Sequence, residues 1–276
     1  MRVRLAFAAL AIIVIALGAI FVVAISDLRQ REALRQVHFE ISCGAAVQRL
    51  FDRATARLHA MAYVEAERAY TAIAALEPDC AMAYWGVAMS RLKRPIAITP
   101  LPDDLRTAGD ALQRAADAKI ATPRERAYLA ALELLVGDAD PAGWHNRTGL
   151  YETAMAELAV RQANDREATI FYALALNMAA LPSDKSFSKQ TKAAELLLVA
   201  LSEQPNHPGL SHYLTYCLSL PSAAAPDVAT ALAPNATASI QAALAVLALA
   251  GVVVFFVSVL PIWSGSVTVD DLEKST

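Results

Sequence analysis

Two long uncharged stretches, one near each end of the chain, constrain its fold more than any other feature of the sequence. The first covers residues 5–25 and the second residues 239–263. An α-helix rises about 1.5 Å per residue, so about 20 helical residues cross a hydrocarbon layer roughly 30 Å thick. Both stretches are therefore long enough to span a membrane. The roughly 210 residues between them suffice for one substantial domain.

The N-terminal stretch has two interpretations, an uncleaved membrane anchor or a cleaved secretory signal. Arg2 and Arg4 form a short basic end, and the small residues at 24–26 could form a cleavage site. The apolar run exceeds the roughly 7–15 residues usual in a signal, which favours the anchor. In either case the basic end is expected to stay in the cytoplasm, so the domain that follows is exported.

The C-terminal stretch is interpreted as a second membrane helix, and a buried core helix is the alternative. Its centre is the apolar run at 252–256, and Trp263 at its end suits a membrane interface. Two spans around one exported domain place both termini in the cytoplasm. The expected location is thus a bacterial inner membrane, in contact with lipid, with the domain in the periplasm.

The sequence between the apolar stretches predicts helices throughout. Runs such as those at 45–63 and 103–120 place apolar residues at the i, i+3, i+4, i+7 spacing of an amphipathic helix. Thr122, Pro123 and Glu125 form a typical helix start, with an N-cap, a proline in the first turn and a capping glutamate. No run of β-branched residues alternates with polar ones in this part of the chain. The fold class is therefore expected to be all-α.

A repeated pattern of small, large and proline residues indicates paired helices. Ala66, Tyr70 and Pro78 have the spacing of the second helix of a tetratricopeptide (TPR) unit. Trp85 and Gly86 match positions of the first helix of the next unit. A small residue lets paired helices approach, and a large one fills the space beside it. The same second-helix spacing recurs at Ala193, Leu197 and Pro205, and without the proline at Ala154 and Leu158.

Several longer strings extend this pattern, among them "HFEISC", "PDCAMAYWGVAMS", "EATIFYALAL" and "QPNHPGLSHYLTYC". In these the chain resembles exported bacterial TPR proteins of unassigned biochemical role. The resemblance covers roughly residues 37–221 and implies a helical-hairpin solenoid. Such proteins usually continue into further repeats, whereas this chain enters a Pro/Ala-rich linker. The expected organisation is a signal-anchor helix at 1–26, a linker at 27–36, a TPR-like domain at 37–221, a linker at 222–238, a membrane helix at 239–263 and a short acidic tail at 264–276.

No familiar catalytic motif is present, so no catalytic residue and no cofactor are expected. The histidines give only a weak metal signal. His207 and His212 are five residues apart and are separated by Pro208, so they do not share one helix face. Two histidines on stacked helices, for instance His59 with His212, could still meet at a metal. The preferred expectation is that none binds one.

Trp144 precedes a helical run, where it is either a loop anchor or a candidate contact for a partner protein. The net charge is −3 with acids and bases interspersed, which does not favour nucleic-acid binding. We therefore expect a non-catalytic scaffold, an accessory or assembly subunit of a membrane protein complex, which binds partners through its groove and membrane helices. The alternative is an exported metal-binding protein or enzyme that uses histidines of the repeat domain.

The three cysteines provide a test of export. Cys43 precedes the first helix of a hairpin and Cys80 opens the helix that follows it, so the returning chain brings them to one edge. An oxidising compartment would bridge such a pair. Cys217 lies in an apolar helical run and is expected to be a buried thiol. Three unpaired cysteines are the alternative, which a cytoplasmic domain would favour.

Overall fold

The computed structural model describes residues 17–22, 24, 37–92, 99–118, 122–138, 140–181 and 183–218. The helical domain belongs to one compact unit within residues 30–228, whereas residues 17–22 and 24, which are helical, belong to a second unit. Residues 17–22 and 24 are the described part of the expected signal-anchor helix at 1–26. The rest of that segment lies outside the described residues, as do both expected linkers, the C-terminal uncharged stretch and the acidic tail. Nowhere in the described part of the chain is there a helix with the length and apolar character that a membrane crossing needs.

The described residues contain helices and no strand, which confirms the all-α class. Short turns join most of the helices. The two longer connections lie between α3 and α4 and between α7 and α8. The helices are α1 (Ala45–His59), α2 (Tyr63–Leu76), α3 (Ala81–Arg91), α4 (Pro102–Asp117), α5 (Pro123–Val136), a 3₁₀ turn (Pro141–Gly143), α6 (Trp144–Arg161), α7 (Arg166–Met178), α8 (Ser188–Glu203) and α9 (Leu210–Leu218).

The helices pack in chain order, each against the next. Additional contacts join α1 to α3 and α3 to α5, so alternate helices are also neighbours. We call α1, α3, α5, α7 and α9 the first helices and α2, α4, α6 and α8 the second helices. Each of α1, α3, α5 and α7 packs against the second helix that follows it, and we call each of these pairs a hairpin.

Local capping defines the start of α5 as the sequence predicts. The Thr122 hydroxyl accepts a hydrogen bond from the Glu125 backbone N–H at 3.2 Å, and Pro123 occupies the first turn. At α7, Asp165 accepts from the Ala168 N–H at 3.2 Å. A side chain that satisfies one of the free N–H groups at a helix start stabilises that end by about 1 kcal/mol.

The residues assigned to repeat packing divide into three groups. Ala66, Tyr70, Trp85, Gly86, Leu158, Ala193 and Leu197 are buried. Pro78 and Pro205 are exposed two residues after the ends of α2 and α8, where a proline prevents the helix from continuing. Ala154 is only half-buried, because Met155 and Leu158 occupy the fully buried positions of α6 at this turn.

Candidate functional site

The segment before α1, residues 37–43, lies against the helices with alternating burial. Val37, Phe39 and Ile41 are buried, whereas His38 and Glu40 are exposed. A period of two is the pattern of an extended chain that has one face covered. We call residues 37–43 the leading segment.

Phe39 lies among aromatic rings from four alternate helices. Its ring centroid is 5.6 Å from that of Phe51 on α1 and 5.4 Å from that of Trp85 on α3. It is 4.9 Å from Tyr128 on α5 and 6.3 Å from Phe171 on α7. These separations suit edge-on and tilted aromatic contacts, which add to the burial of each ring. The first helices α1, α3, α5 and α7 therefore line one common surface, which we call the shared face. The leading segment lies on this face.

Side chains of α1 bind the backbone of the leading segment. The Gln48 amide donates to the Phe39 carbonyl at 2.9 Å and accepts from the Ile41 N–H at 3.0 Å. The Phe39 N–H donates to the Asp52 carboxylate at 3.0 Å. Buried backbone groups must find partners, and here side chains replace the neighbouring strand of a sheet.

Two residues in the first turn of α5 hold the other side of the segment. Arg124 donates to the Glu40 carbonyl at 2.6 Å and to Asp165 at 2.5 Å, and its guanidinium lies 4.7 Å from the centre of the Phe39 ring. Glu125 accepts from the N–H and hydroxyl of Ser42 at 2.7 and 2.5 Å. Burial lowers the pKa of Arg124, but the bond and charge of Asp165 outweigh it and raise that pKa. Arg124 thus remains a fixed cation.

A disulfide ties the end of the leading segment to α3. The sulfur atoms of Cys43 and Cys80 are 2.08 Å apart and their Cα atoms 5.4 Å apart. Cys80 is the residue before α3, so the segment is held at the start of a first helix. Cys217 is a buried free thiol whose sulfur accepts from the Asn177 amide at 2.9 Å. Burial raises the pKa of Cys217, which keeps it protonated and inert.

The C-terminal ends of the first helices surround a small apolar pocket. Its volume is about 30 Å³, room for little more than a methyl group or a water. Met89, near the end of α3, is half-buried in its wall. The leading segment lies near the other ends of these helices. We call the part of the shared face around the pocket, which the segment does not cover, the open half. The pocket is lined by Leu58, Tyr63, Met89, Leu92, Leu135, Tyr151, Phe171, Leu174, Met178 and Tyr213.

A cluster of ionisable side chains lies buried next to this pocket. His59, at the end of α1, places Nε2 2.7 Å from Oε2 of Glu167, in the first turn of α7. His207, in the turn between α8 and α9, places Nε2 3.9 Å from Oε1 of the same carboxylate. The side chains of the three residues are at most 2% exposed. The Tyr213 hydroxyl lies 3.0 Å from Nδ1 of His59. The cluster therefore joins α1, α7 and the turn before α9.

His207 is held in a defined tautomer. The Gly209 N–H donates to Nδ1 of His207 at 3.2 Å, so neutral His207 carries its proton on Nε2. That Nε2 is buried and has no hydrogen-bond partner among the described residues. Burial, and to a lesser extent the neighbouring His59, lowers the pKa of His207 to about 2. His207 is therefore a neutral side chain with an unsatisfied polar atom that faces Glu167.

Two expectations about site residues require correction. Trp144 is only 7% exposed, because it packs at the start of α6, so it serves as an anchor and not as an exposed partner contact. The example of His59 with His212 is also wrong, because His212 is exposed on α9 and His207 lies beside His59 instead. Sequence reasoning missed Glu167 and the seat of the leading segment. The alternation of Val37, Phe39 and Ile41 was the available signal for the segment.

The open half of the shared face is apolar and could contact another chain. The buried cluster of His59, Glu167 and His207 could hold a proton or a metal ion. Comparison with known proteins does not choose between them. No family model, no curated protein and no solved structure matches this chain.

Proposed function

We propose that the domain is a TPR-like solenoid that binds another protein and serves as an accessory or assembly subunit of a membrane complex. The observation that carries the proposal is the convergence of α1, α3, α5 and α7 on the leading segment. Solenoids of helical hairpins present such a face as an extended groove for peptides and proteins. This groove already holds an extended segment of its own chain. That contact supports the proposal that the groove binds a protein backbone with alternating apolar side chains.

The partner is expected at the open half of the groove. The disulfide at Cys43 keeps the leading segment in place over the other half. The apolar pocket is small, so a partner would insert one small apolar side chain, or the pocket would widen. Met89 favours widening of the pocket, because the unbranched side chain of methionine changes its conformation at low cost.

We also propose that the domain faces the periplasm and is held in the inner membrane, with both termini cytoplasmic. The disulfide supports an oxidising compartment, in which such bonds persist. Reporter fusions after residue 130 and after residue 276 should lie on opposite sides of the membrane. A result with both on the same side would remove the second span or the whole arrangement.

Co-purification tests the binding proposal. The full-length tagged chain is extracted from native membranes in mild detergent, and the proteins retained with it are quantified by mass spectrometry. Met89→Glu places a charge in the open half of the groove and should deplete a specific partner. Val160→Glu is the matched control, because Val160 is 80% exposed on α6 and lies outside the pocket lining.

The control should retain the same proteins as the parent chain, and circular dichroism should show that both variants keep their helical content. The proposal fails if the parent chain retains no specific protein. It also fails if folded Met89→Glu retains the same set as the parent, because the groove then plays no part in binding.

A further inference from the structure

The His59, Glu167 and His207 side chains meet although they are far apart in sequence. His59 and Glu167 are 108 residues apart, and His207 comes from a third region of the chain. One potential ligand atom from each lies within 4.8 Å of the others. The cluster thus offers two imidazole nitrogens and one carboxylate oxygen in a space closed to solvent.

We propose that His59, Glu167 and His207 together bind one divalent transition-metal ion, for which zinc is the reference. Two histidines and a glutamate are an established ligand set for zinc, with the fourth position left to water. Bonds of about 2.0–2.1 Å in a tetrahedral site place ligand atoms about 3.3 Å apart. The 2.7 Å separation from His59 to Glu167 would open slightly, and the 3.9 Å separation from His207 would close by a similar amount. These two distances end on different carboxylate oxygens, and the three ligand atoms now lie within 4.8 Å of one another, so the two imidazoles must also draw together when the ion binds.

The charges of the cluster favour a cation. A buried carboxylate is costly unless charge or hydrogen bonds compensate it. Within the described residues, Glu167 receives a short bond on Oε2 from His59, and Nε2 of His207 lies 3.9 Å from Oε1, beyond hydrogen-bond distance. That nitrogen is itself buried without a partner. A metal ion between the two would give this nitrogen a partner and offset the charge of the Glu167 carboxylate.

Tyr213 prepares His59 for this role. Its hydroxyl donates to the His59 carbonyl at 3.3 Å and lies 3.0 Å from Nδ1 of the same residue. With its proton on the carbonyl, the hydroxyl oxygen accepts from Nδ1–H. That arrangement leaves Nε2 of His59 as the metal-binding atom, and such outer hydrogen bonds commonly orient histidine ligands.

His207 must change tautomer when the ion binds. Its proton is on Nε2, because Gly209 donates to Nδ1. On binding, this proton moves to Nδ1, and the Gly209 N–H must turn towards another acceptor. The proton that His59 donates to Glu167 from Nε2 is released to solvent when the ion binds. Metal uptake therefore rearranges the turn between α8 and α9.

Metal analysis of the full chain tests the proposal. The chain is purified in mild detergent without chelator, and its zinc and iron contents are measured by mass spectrometry. It is then stripped with EDTA, supplied with zinc chloride and desalted. One retained zinc per chain and a raised melting temperature support the site. Iron in the chain as purified also supports it and identifies a different ion. A parent chain that retains no zinc after this procedure overturns it.

The variant His207→Asn shows whether these residues hold the ion. The Asn carbonyl can accept from the Gly209 N–H as Nδ1 does, but it places no ligand at the position of Nε2. His212→Asn is the matched control, because His212 is an exposed histidine on α9. Zinc should be lost from the first variant and kept by the second. Equal retention by His207→Asn and the parent chain overturns the proposal.

Glu167→Gln provides a second variant in case His207→Asn unfolds. The new amide oxygen still accepts from Nε2 of His59, while the negative charge is removed. Loss of zinc from the folded variant supports the site. Retention at the parent level overturns it, because a metal ion in a buried site depends on its only carboxylate ligand.

Discussion

Gly86 and Tyr70 approach so closely that no side chain larger than hydrogen fits between them. A Cβ atom built on Gly86 would lie 2.2 Å from Cδ1 of Tyr70 and 2.4 Å from two further ring atoms. Tyr70 is fully buried, and its hydroxyl lies 2.8 Å from that of Thr55 on α1. The ring therefore cannot move aside easily. This contact sets the spacing of α2 and α3.

Gly86→Ala should destabilise the domain by about 1–3 kcal/mol, because the added methyl group overpacks the contact with Tyr70. Alanine is a better helix former than glycine by about 1 kcal/mol, so the variant is destabilised only if the clash with Tyr70 costs more than this gain. Gly109→Ala on α4 is the matched control. Its Cβ would lie 3.7 Å from Val136, an ordinary contact, and should leave stability unchanged or raise it. Urea unfolding followed by circular dichroism measures both. Equal stability of Gly86→Ala and the parent would contradict the contact.

Removal of the disulfide by Cys43→Ser with Cys80→Ser should lower the free energy of unfolding by roughly 3–4 kcal/mol. The bond closes a loop with a sequence separation of 37 residues, and chain entropy predicts a loss of this size. Thiol titration of the denatured, unreduced parent chain provides an independent check. One free thiol, that of Cys217, is expected before reduction and three after it. Three thiols before reduction would show that the bridge does not form.

Phe39→Ala should cost about 3–5 kcal/mol, because it removes a fully buried ring from the centre of an aromatic cluster. Glu40→Ala is its neighbour and control. The Glu40 side chain is exposed, and the carbonyl that Arg124 binds is retained, so the change should stay within about 0.5 kcal/mol. Thermal and urea unfolding of the two variants should separate clearly. Similar small effects would mean that the leading segment contributes little to the fold.

The stability of the domain should fall as the pH falls from about 6.5 towards 2, in part because of His207. Burial lowers its pKa to about 2 in the folded chain, whereas an unfolded histidine titrates near 6.5. Within this window the unfolded state binds one more proton, so stability rises with pH. One proton corresponds to at most about 1.4 kcal/mol per pH unit.

His207→Asn removes the titrating imidazole. The free energy of unfolding should then change less steeply between about pH 6 and 4, by up to about 1.4 kcal/mol per pH unit. The measurement is the free energy of unfolding in urea at a series of pH values, with a chelator present. His212→Asn, at an exposed position, should keep the slope of the parent chain. A slope of His207→Asn identical to that of the parent would show that folding does not lower the pKa of His207.

Much of the local structure was predictable from the sequence, because it depends on spacing along the chain. The period of apolar residues predicted helices throughout, and Thr122 with Glu125 predicted the start of α5. The spacing of Ala66 and Tyr70 predicted which side of α2 is buried. A hairpin returns to the end from which it started, and for this reason the proximity of two cysteines across one hairpin could also be anticipated.

Only the tertiary structure decided what meets at the shared face of the first helices. Phe39 contacts rings on four helices, and its position depends on how far each hairpin is rotated against the next. The sequence does not show which of His207 and His212 lies near His59. The turn before α9 places His207 beside Glu167 and leaves His212 exposed to solvent. Small rotations accumulate over successive hairpins, so the sequence determined the units of this domain, and their stacking determined the site.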